Sequence, residues 1–221
     1  MGHMIEEIAL SRGHEIVARI DAGDAFDLKD ADVAIEFTTP QTAKDNILRA
    51  WTQGVPVVCG STGWIQNLSP TLSTREGEWT IEKISNKVIV KDETGKTMLI
   101  WSSNFSVGVN IFFDLNKYLA EQMSQQPQYK PSITETHHIH KLDKPSGTAK
   151  TLSNDIMSAA KPLNGDATLN DVPIESIREG EVPGTHVVTW DSEEDTIIIT
   201  HIAKGRRGFA LGAVLAAESL V

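Results

Sequence analysis

At 221 residues, 40% hydrophobic and 23% charged, the chain has the length and composition of one large globular domain or two small ones, which argues against disorder. A net charge of −10 argues against a nucleic-acid-binding surface, and the lone Cys59 leaves no intrachain disulfide framework and fits a reducing compartment. No apolar run reaches the length of a membrane span and no signal-peptide pattern is present, so a cytoplasmic protein with no membrane partner is expected.

The first third alternates helix and strand. Residues 2–12 have helical spacing, with Gly13 placed to end the helix. Residues 15–21 and 33–37 read as strands. Thr39 is placed as N-cap with Pro40 at the first helical position of a helix running to about Gln53, and 55–59 read as a third strand with Cys59 buried at its end. Short apolar strands alternating with helices predict a doubly wound α/β sheet with parallel strands. Residues 79–101 alternate apolar and polar and carry turn signals at Ser85-Asn86 and Glu93-Thr94-Gly95, which predicts a β-hairpin or meander. From 107 to about 123 a helix carries Val109, Phe112, Leu115, Leu119 and Met123 along one side. Residues 131–137 read as a strand and 148–160 as a helix. Residues 185–190 and 196–202 read as an antiparallel hairpin, and 208–220 as a small-residue apolar helix.

Residues 134–150 are the richest in chemistry, because three imidazoles and a lysine precede a small-residue helix start. The first amides of a helix lack intrahelical partners and the macrodipole adds positive potential there, so Ser146, Gly147 and Thr148 suit an anion. Lys141 adds a full positive charge, and His137, His138 and His140 bring groups that transfer protons near neutral pH. An anion seat beside a proton-transfer group outlines an enzyme site for a carboxylate or phosphate. His-His-Xaa-His lacks the i, i+4 spacing of a helical zinc motif and has no cysteine nearby, so no metal is expected; Glu135 and Asp143 read as groups that orient their neighbours. Gly60-Ser61-Thr62-Gly63 follows a strand, where open α/β sheets place ligands, and Asp21 ends a strand where a carboxylate can meet ribose hydroxyls; each also fits an ordinary turn.

The segment 134–150 resembles the signature of the 4-hydroxy-tetrahydrodipicolinate reductase family. Blocks at 34–38, 60–63, 102–110, 178–186 and 208–214 agree in chain order. The resemblance implies an NAD(P)H-dependent oxidoreductase that reduces a cyclic dicarboxylate imine in lysine and diaminopimelate biosynthesis. It implies a nucleotide-binding domain (residues 1–103 plus 208–221), an inserted α+β substrate and oligomerisation domain (104–207), closure between them, and a homotetramer. By the same resemblance His137 is the acid/base residue and Lys141 the proton donor. His138, Ser146, Gly147, Thr148 and Arg206 bind substrate; from the residues themselves, Arg207 is an adjacent alternative or a solvated basic turn, and His140, in a loop, reads as structural or solvated. Gly2, Asp21, Gly60, Ser61, Thr62, Ser102, Ser103, Asn104 and Phe105 hold the cofactor. Asp21, with no basic neighbour, favours NADH, and NADPH remains compatible.

One family block is matched by Gly2 alone: the opening strand and its Gly-Xaa-Xaa-Gly-Xaa-Met-Gly turn. The expectation from this is an N-terminally incomplete cofactor domain that binds NADH poorly and turns over slowly or not at all. The alternative is a non-catalytic dicarboxylate-binding or assembly protein derived from the family. NADH oxidation separates the two.

Overall fold

The computed structural model describes residues 1–65, 79–84, 86–159 and 171–221. The turn residue Ser85 and the last position of the expected 148–160 helix lie outside them. The chain divides into two compact units, residues Met1–Ser106 with Phe209–Val221, and residues Val107–Gly208.

The first unit opens with helix α1 (Gly2–Ser11), which buries Ile5, Ile8 and Ala9 and is followed by Gly13 at φ +90°. Strand β1 (Ala34–Glu36), helix α2 (Ala43–Trp51) and strand β2 (Val57–Cys59) follow, then the meander β3 (Thr80–Ile84), β4 (Lys87–Lys91) and β5 (Thr97–Ser102). The five strands run in the order β1-β2-β5-β4-β3. β1, β2 and β5 are parallel neighbours, while β4 lies antiparallel to both β5 and β3. The sheet is therefore a parallel core extended by the meander expected at 79–101.

Two expectations need correction here. Residues 15–21 form no strand: Ile16, Ala18 and Ile20 turn inward in alternation and pack on the core, but no ladder bonds join the segment to the sheet. Helix α2 begins at Ala43, not at Pro40. The Thr39 carbonyl accepts from Thr42 and Ala43, so 40–42 form a turn ahead of the helix.

Helix α5 (Arg207–Glu218) closes the unit with a buried stripe of Ala210, Gly212, Ala213, Val214 and Ala217. Its small residues permit close approach: a Cβ on Gly212 would stand 1.7 Å from the Phe105 carbonyl oxygen. Ala210 and Val214 join Ile5 and Ile8 of α1 in one cluster, and Glu218 takes Arg12 at 2.5 Å and His14 at 2.8 Å.

The second unit carries α3 (Val107–Met123), β6 (Lys130–His137), α4 (Gly147–Ala159), β7 (Ile174–Arg178), β8 (Thr185–Asp191) and β9 (Thr196–Ile202). Its sheet runs β7-β6-β8-β9, with β7 parallel to β6 and the other pairs antiparallel. Strand β7 was not among the sequence expectations. One face of the sheet shares a core with α3 and α4 through Ile133, Val188, Phe112, Phe113, Leu152 and Ile156. The opposite face presents Ile177, Ile198 and Ile202, all exposed. On α3 the expected stripe holds except at one position: Val109 and Phe112 are buried and Leu119 and Met123 pack against the core, but Leu115 is 46% exposed, whereas Asn116 is fully buried and donates to the Leu152 carbonyl at 3.1 Å.

Candidate active site

Strand register builds this site. On the helix-covered face, Ile174, Ile133, Val188 and Ile199 lie side by side across the four strands of the second unit. Side chains alternate along a strand, so the next positions on the same face are two residues on. There the row becomes polar throughout: Ser176, Glu135, His186 and His201 are direct cross-strand neighbours. One further step along β6 places His137 opposite Arg178.

Glu135 is fully buried and is the hub. Its Oε1 accepts from Ser176 Oγ at 2.7 Å, from the Ser146 amide at 3.0 Å and from Arg178 Nη2 at 3.4 Å. Its Oε2 lies 3.2 Å from the same amide, 3.5 Å from His137 Nδ1 and 3.7 Å from His186 Nε2. Burial pushes its carboxyl up, but interactions with His186, Ser146 and Ser176 outweigh burial and hold it well below the usual carboxylate range. His137 moves down to about 4, chiefly through burial and then through the charge of His186; Lys141 and Arg178 act in the same direction and Glu135 against them. The imidazole is therefore neutral near pH 7. Its ring stands edge-on to His186 at 5.0 Å. On its other side lies Gly184, at φ +150°, where a Cβ would come within 3.2 Å of His137 Nε2.

The loop after β6 is tied down by Arg178, which donates to the carbonyls of Lys141 at 3.1 Å and Asp143 at 2.5 Å. Lys141 Nζ pairs with Asp143 at 2.8 Å. His138 is half-buried, whereas His140 is exposed and lies 3.2 Å from Glu181. Ser146 is placed differently from the expectation. Its amide is engaged by Glu135, its Oγ caps α4 by accepting from Ala149 N at 3.2 Å, and the residue is 2% exposed. It supports the helix start from inside, while Gly147 is exposed at the first turn and Thr148 half-buried beside it. Arg206 is exposed just before α5.

Glu135, His137 and His186 also offer one potential metal-ligand atom each, all within 4.8 Å. The site is empty. Ser146 N–H already points at Oε2, and the Arg178 and Lys141 cations act on the same cluster, so it fits a carboxylate–imidazole network better than a cation cage.

In the first unit, the turn after β2 is braced by two indoles: Trp64 Nε1 and Trp101 Nε1 both donate to the Ser61 carbonyl, at 2.8 and 2.7 Å. Gly60 lies so close to Phe37 that a Cβ would stand 2.1 Å from its ring. Thr62 is exposed. After β5, Ser102 Oγ accepts from Asn86 Nδ2 at 2.9 Å and donates to the Asn104 carbonyl at 2.8 Å, and Asn104 Oδ1 accepts from Ser106 N at 2.9 Å. Phe105 sits 6.1 Å from Phe37, ring to ring. Ser61 Oγ and Ser103 Oγ are both buried without a hydrogen-bond partner among the described residues. Orphaned hydroxyls on two adjacent turns are what a bound group bearing an amide would satisfy, so these turns fit a nicotinamide. Asp21 is exposed, with its amide turned to Asp24 Oδ2 at 2.9 Å, and Gly2 is exposed at the start of α1.

Ser176, Arg178, His186 and His201 escaped the sequence reading. The signal was a polar residue in each strand at a common distance from the apolar row, visible only once register is known.

The chain matches the family descriptions "Dihydrodipicolinate reductase, N-terminus" over residues 1–105 and "Dihydrodipicolinate reductase, C-terminus" over residues 108–221. It is 42% identical over 227 residues to the 4-hydroxy-tetrahydrodipicolinate reductase of Christiangramia forsetii, covering 100% of this chain and 88% of the relative. The enzyme of the same name from Staphylococcus aureus is 33% identical, with 100% and 91% covered. Among solved structures, dipicolinate-bound dihydrodipicolinate reductase from Paenisporosarcina sp. TG-14 superposes with a TM-score of 0.66 at 19% identity, covering 99% of this chain and 89% of that one, a likeness of fold.

Proposed function

The chain belongs to the dihydrodipicolinate reductase family, and on that premise we propose that it reduces 4-hydroxy-tetrahydrodipicolinate to tetrahydrodipicolinate with a nicotinamide cofactor. The reaction removes water from the ring, adds hydride to one carbon of the conjugated imine and a proton to its neighbour. The reduced nicotinamide supplies the hydride; Ser61, Ser103 and the turns that carry them would hold it.

The observation that carries the reading is that His137 and the start of α4 converge on one buried carboxylate, within 3.5 Å and 3.0 Å of Glu135 respectively. An imidazole and a helix N-terminus held that way suit a substrate with a carboxylate beside its reacting carbons. Neutral His137 serves as acceptor and relay of a proton. Lys141, an ammonium beside Asp143, serves as donor and offsets charge that develops on the ring. His138 and the Gly147–Thr148 backbone hold one carboxylate and Arg206, as a bidentate donor, the other; Ser146 keeps the helix start in place. Exposed Asp21 favours NADH by disfavouring a 2′-phosphate. The open sheet face with Ile177, Ile198 and Ile202 supports a homotetramer assembled through that face.

Steady-state NADH oxidation with substrate generated in the assay tests the reaction. Turnover is expected. His137→Gln should lower kcat by at least about 100-fold, in the range for general acid–base catalysis, while pyridine-2,6-dicarboxylate still binds in calorimetry. No turnover by the parent chain with either NADH or NADPH would overturn the proposal.

A further inference from the structure

Glu135 lies behind the proposed acid/base imidazole and is the most heavily engaged side chain of the site. We propose that Glu135 is the positioning residue of the reaction: it holds His137 with its proton on Nδ1 and its Nε2 lone pair toward the ligand, and with the same carboxylate fixes the start of α4. The inference rests on the reductase reading for its consequence, but not for its geometry.

The two carboxylate oxygens have different work. Oε1 is saturated by Ser176, Ser146 and Arg178, which lock the carboxylate in orientation. Oε2 shares the Ser146 amide at 3.2 Å and faces the two imidazoles. A carboxylate held ionised only accepts, so a ring nitrogen turned to it is stable only as N–H. His137 Nδ1 stands 3.5 Å from Oε2, long for a finished hydrogen bond but the anionic acceptor beside a buried nitrogen that has no hydrogen-bond partner among the described residues. A neutral imidazole carries one proton. With that proton on Nδ1, Nε2 presents a lone pair on the ring edge, Nε2 and Cδ2, that lies beside Gly184. His186 shares that oxygen, with its Nε2 3.7 Å from Oε2 and 3.3 Å from Ser146 Oγ, and it is the strongest interaction holding the carboxylate ionised; the shorter approach to Oε2 is that of His137 Nδ1.

The Ser146 amide makes the arrangement a coupling rather than a single contact. Because one carboxylate lies against both the imidazole and the Ser146 amide just ahead of α4, the spacing between proton acceptor and anion seat is set by one rigid group. A misplacement of about 1 Å in such a pair can cost about 100-fold in rate.

The tautomer is read directly in the parent protein. Long-range nitrogen–proton correlation spectra of the 15N-labelled chain at neutral pH, assigned with His137→Gln and His186→Gln, should show His137 protonated on Nδ1 and bare on Nε2. The opposite tautomer would overturn the proposal, and this arm needs no turnover. Kinetics form the second arm. Glu135→Gln should lower kcat by about 100-fold with a few-fold change in KM. It should also move the acid limb of the kcat/KM profile to lower pH, since the carboxylate no longer favours the imidazolium against Lys141, Arg178 and His186. Glu135→Asp keeps the charge and should leave that limb in place with partial recovery of kcat. If Glu135→Gln lowers activity without moving the limb, the residue is merely structural and the proposal fails. Should the Gln variant not fold, the parent tautomer and the Asp variant still decide.

Discussion

Replacing Gly212 by alanine tests the tightest contact in the first unit. The added Cβ would lie 1.7 Å from the Phe105 carbonyl oxygen and 2.6 Å from its carbonyl carbon. Backbone atoms cannot rotate aside as a side chain can. Relief to even 3.0 Å, the limit that real Cβ atoms respect, requires α5 and the 102–105 stretch to separate by more than an ångström. Neither partner yields readily. Phe105 is anchored through the Ser102–Asn104 hydrogen bonds, and α5 through Ala210, Ala213, Val214 and Ala217. Overpacking costs about 1–3 kcal/mol and more when backbone must move, whereas alanine in place of glycine returns up to about 1 kcal/mol of helix propensity. With the cost at the upper end because backbone must move, the net expectation is a loss of about 2 kcal/mol. Urea unfolding followed by circular dichroism is the assay. Gly2→Ala is the control, because that position has nothing within 4 Å. The displaced Phe105 should also raise the KM for the cofactor several-fold. A Gly212→Ala protein within about 0.5 kcal/mol of the parent, the size of an ordinary surface change, would refute the close approach.

Asp155, largely buried near Lys117 and Asp114, has its pKa pushed up to about 6 from 3.8, chiefly by burial. A raised folded-state value means stability that is complete below pH 4 and lost as pH rises through 6, at most about 3 kcal/mol. Asp155→Asn should therefore stabilise the second unit at pH 8 by about 1–3 kcal/mol and change little at pH 4; an equal effect at both values would count against it. Asp21→Ala should shrink the NADH over NADPH ratio of kcat/KM by about tenfold, the effect of one charged contact at the ribose, and an unchanged ratio would take Asp21 out of cofactor choice. Gly184→Ala should lower kcat by about tenfold or more through the imidazole it crowds while leaving the KM for NADH intact; full activity would show that the clearance beside His137 is not needed.

Sequence carried most of this far, and the failures have physical reasons. The meander at 79–101 and the hairpin of β8 and β9 were legible because period-two alternation persists for many residues. The segment 15–21 has the same alternation and does turn Ile16, Ala18 and Ile20 inward. Burial sets that pattern, however, and ladder hydrogen bonds do not follow from it. On α3, hydrophobicity ranks Leu115 as interior, yet Asn116 holds that place because the Leu152 carbonyl across the helix pair offers it an acceptor. His137, Lys141 and the α4 start stand out in the sequence because they fall within one short run of residues. Arg178, His186 and His201 come from three other strands, and their common row exists only in the sheet. Ser146 shows the reverse case: it was found by motif, but burial turns its polar groups inward.

The paired indoles on the Ser61 carbonyl have an optical consequence. Trp64 and Trp101 are buried, oriented by hydrogen bonds, and sit on the turn proposed to hold the nicotinamide. Indole emission overlaps the absorption of reduced nicotinamide and not that of the oxidised ring. Excitation of the protein should therefore pass to a bound NADH and stay with the indoles when NAD⁺ is bound. The colour of the emitted light would then report the oxidation state of the bound cofactor turnover by turnover, without a label and without consuming substrate.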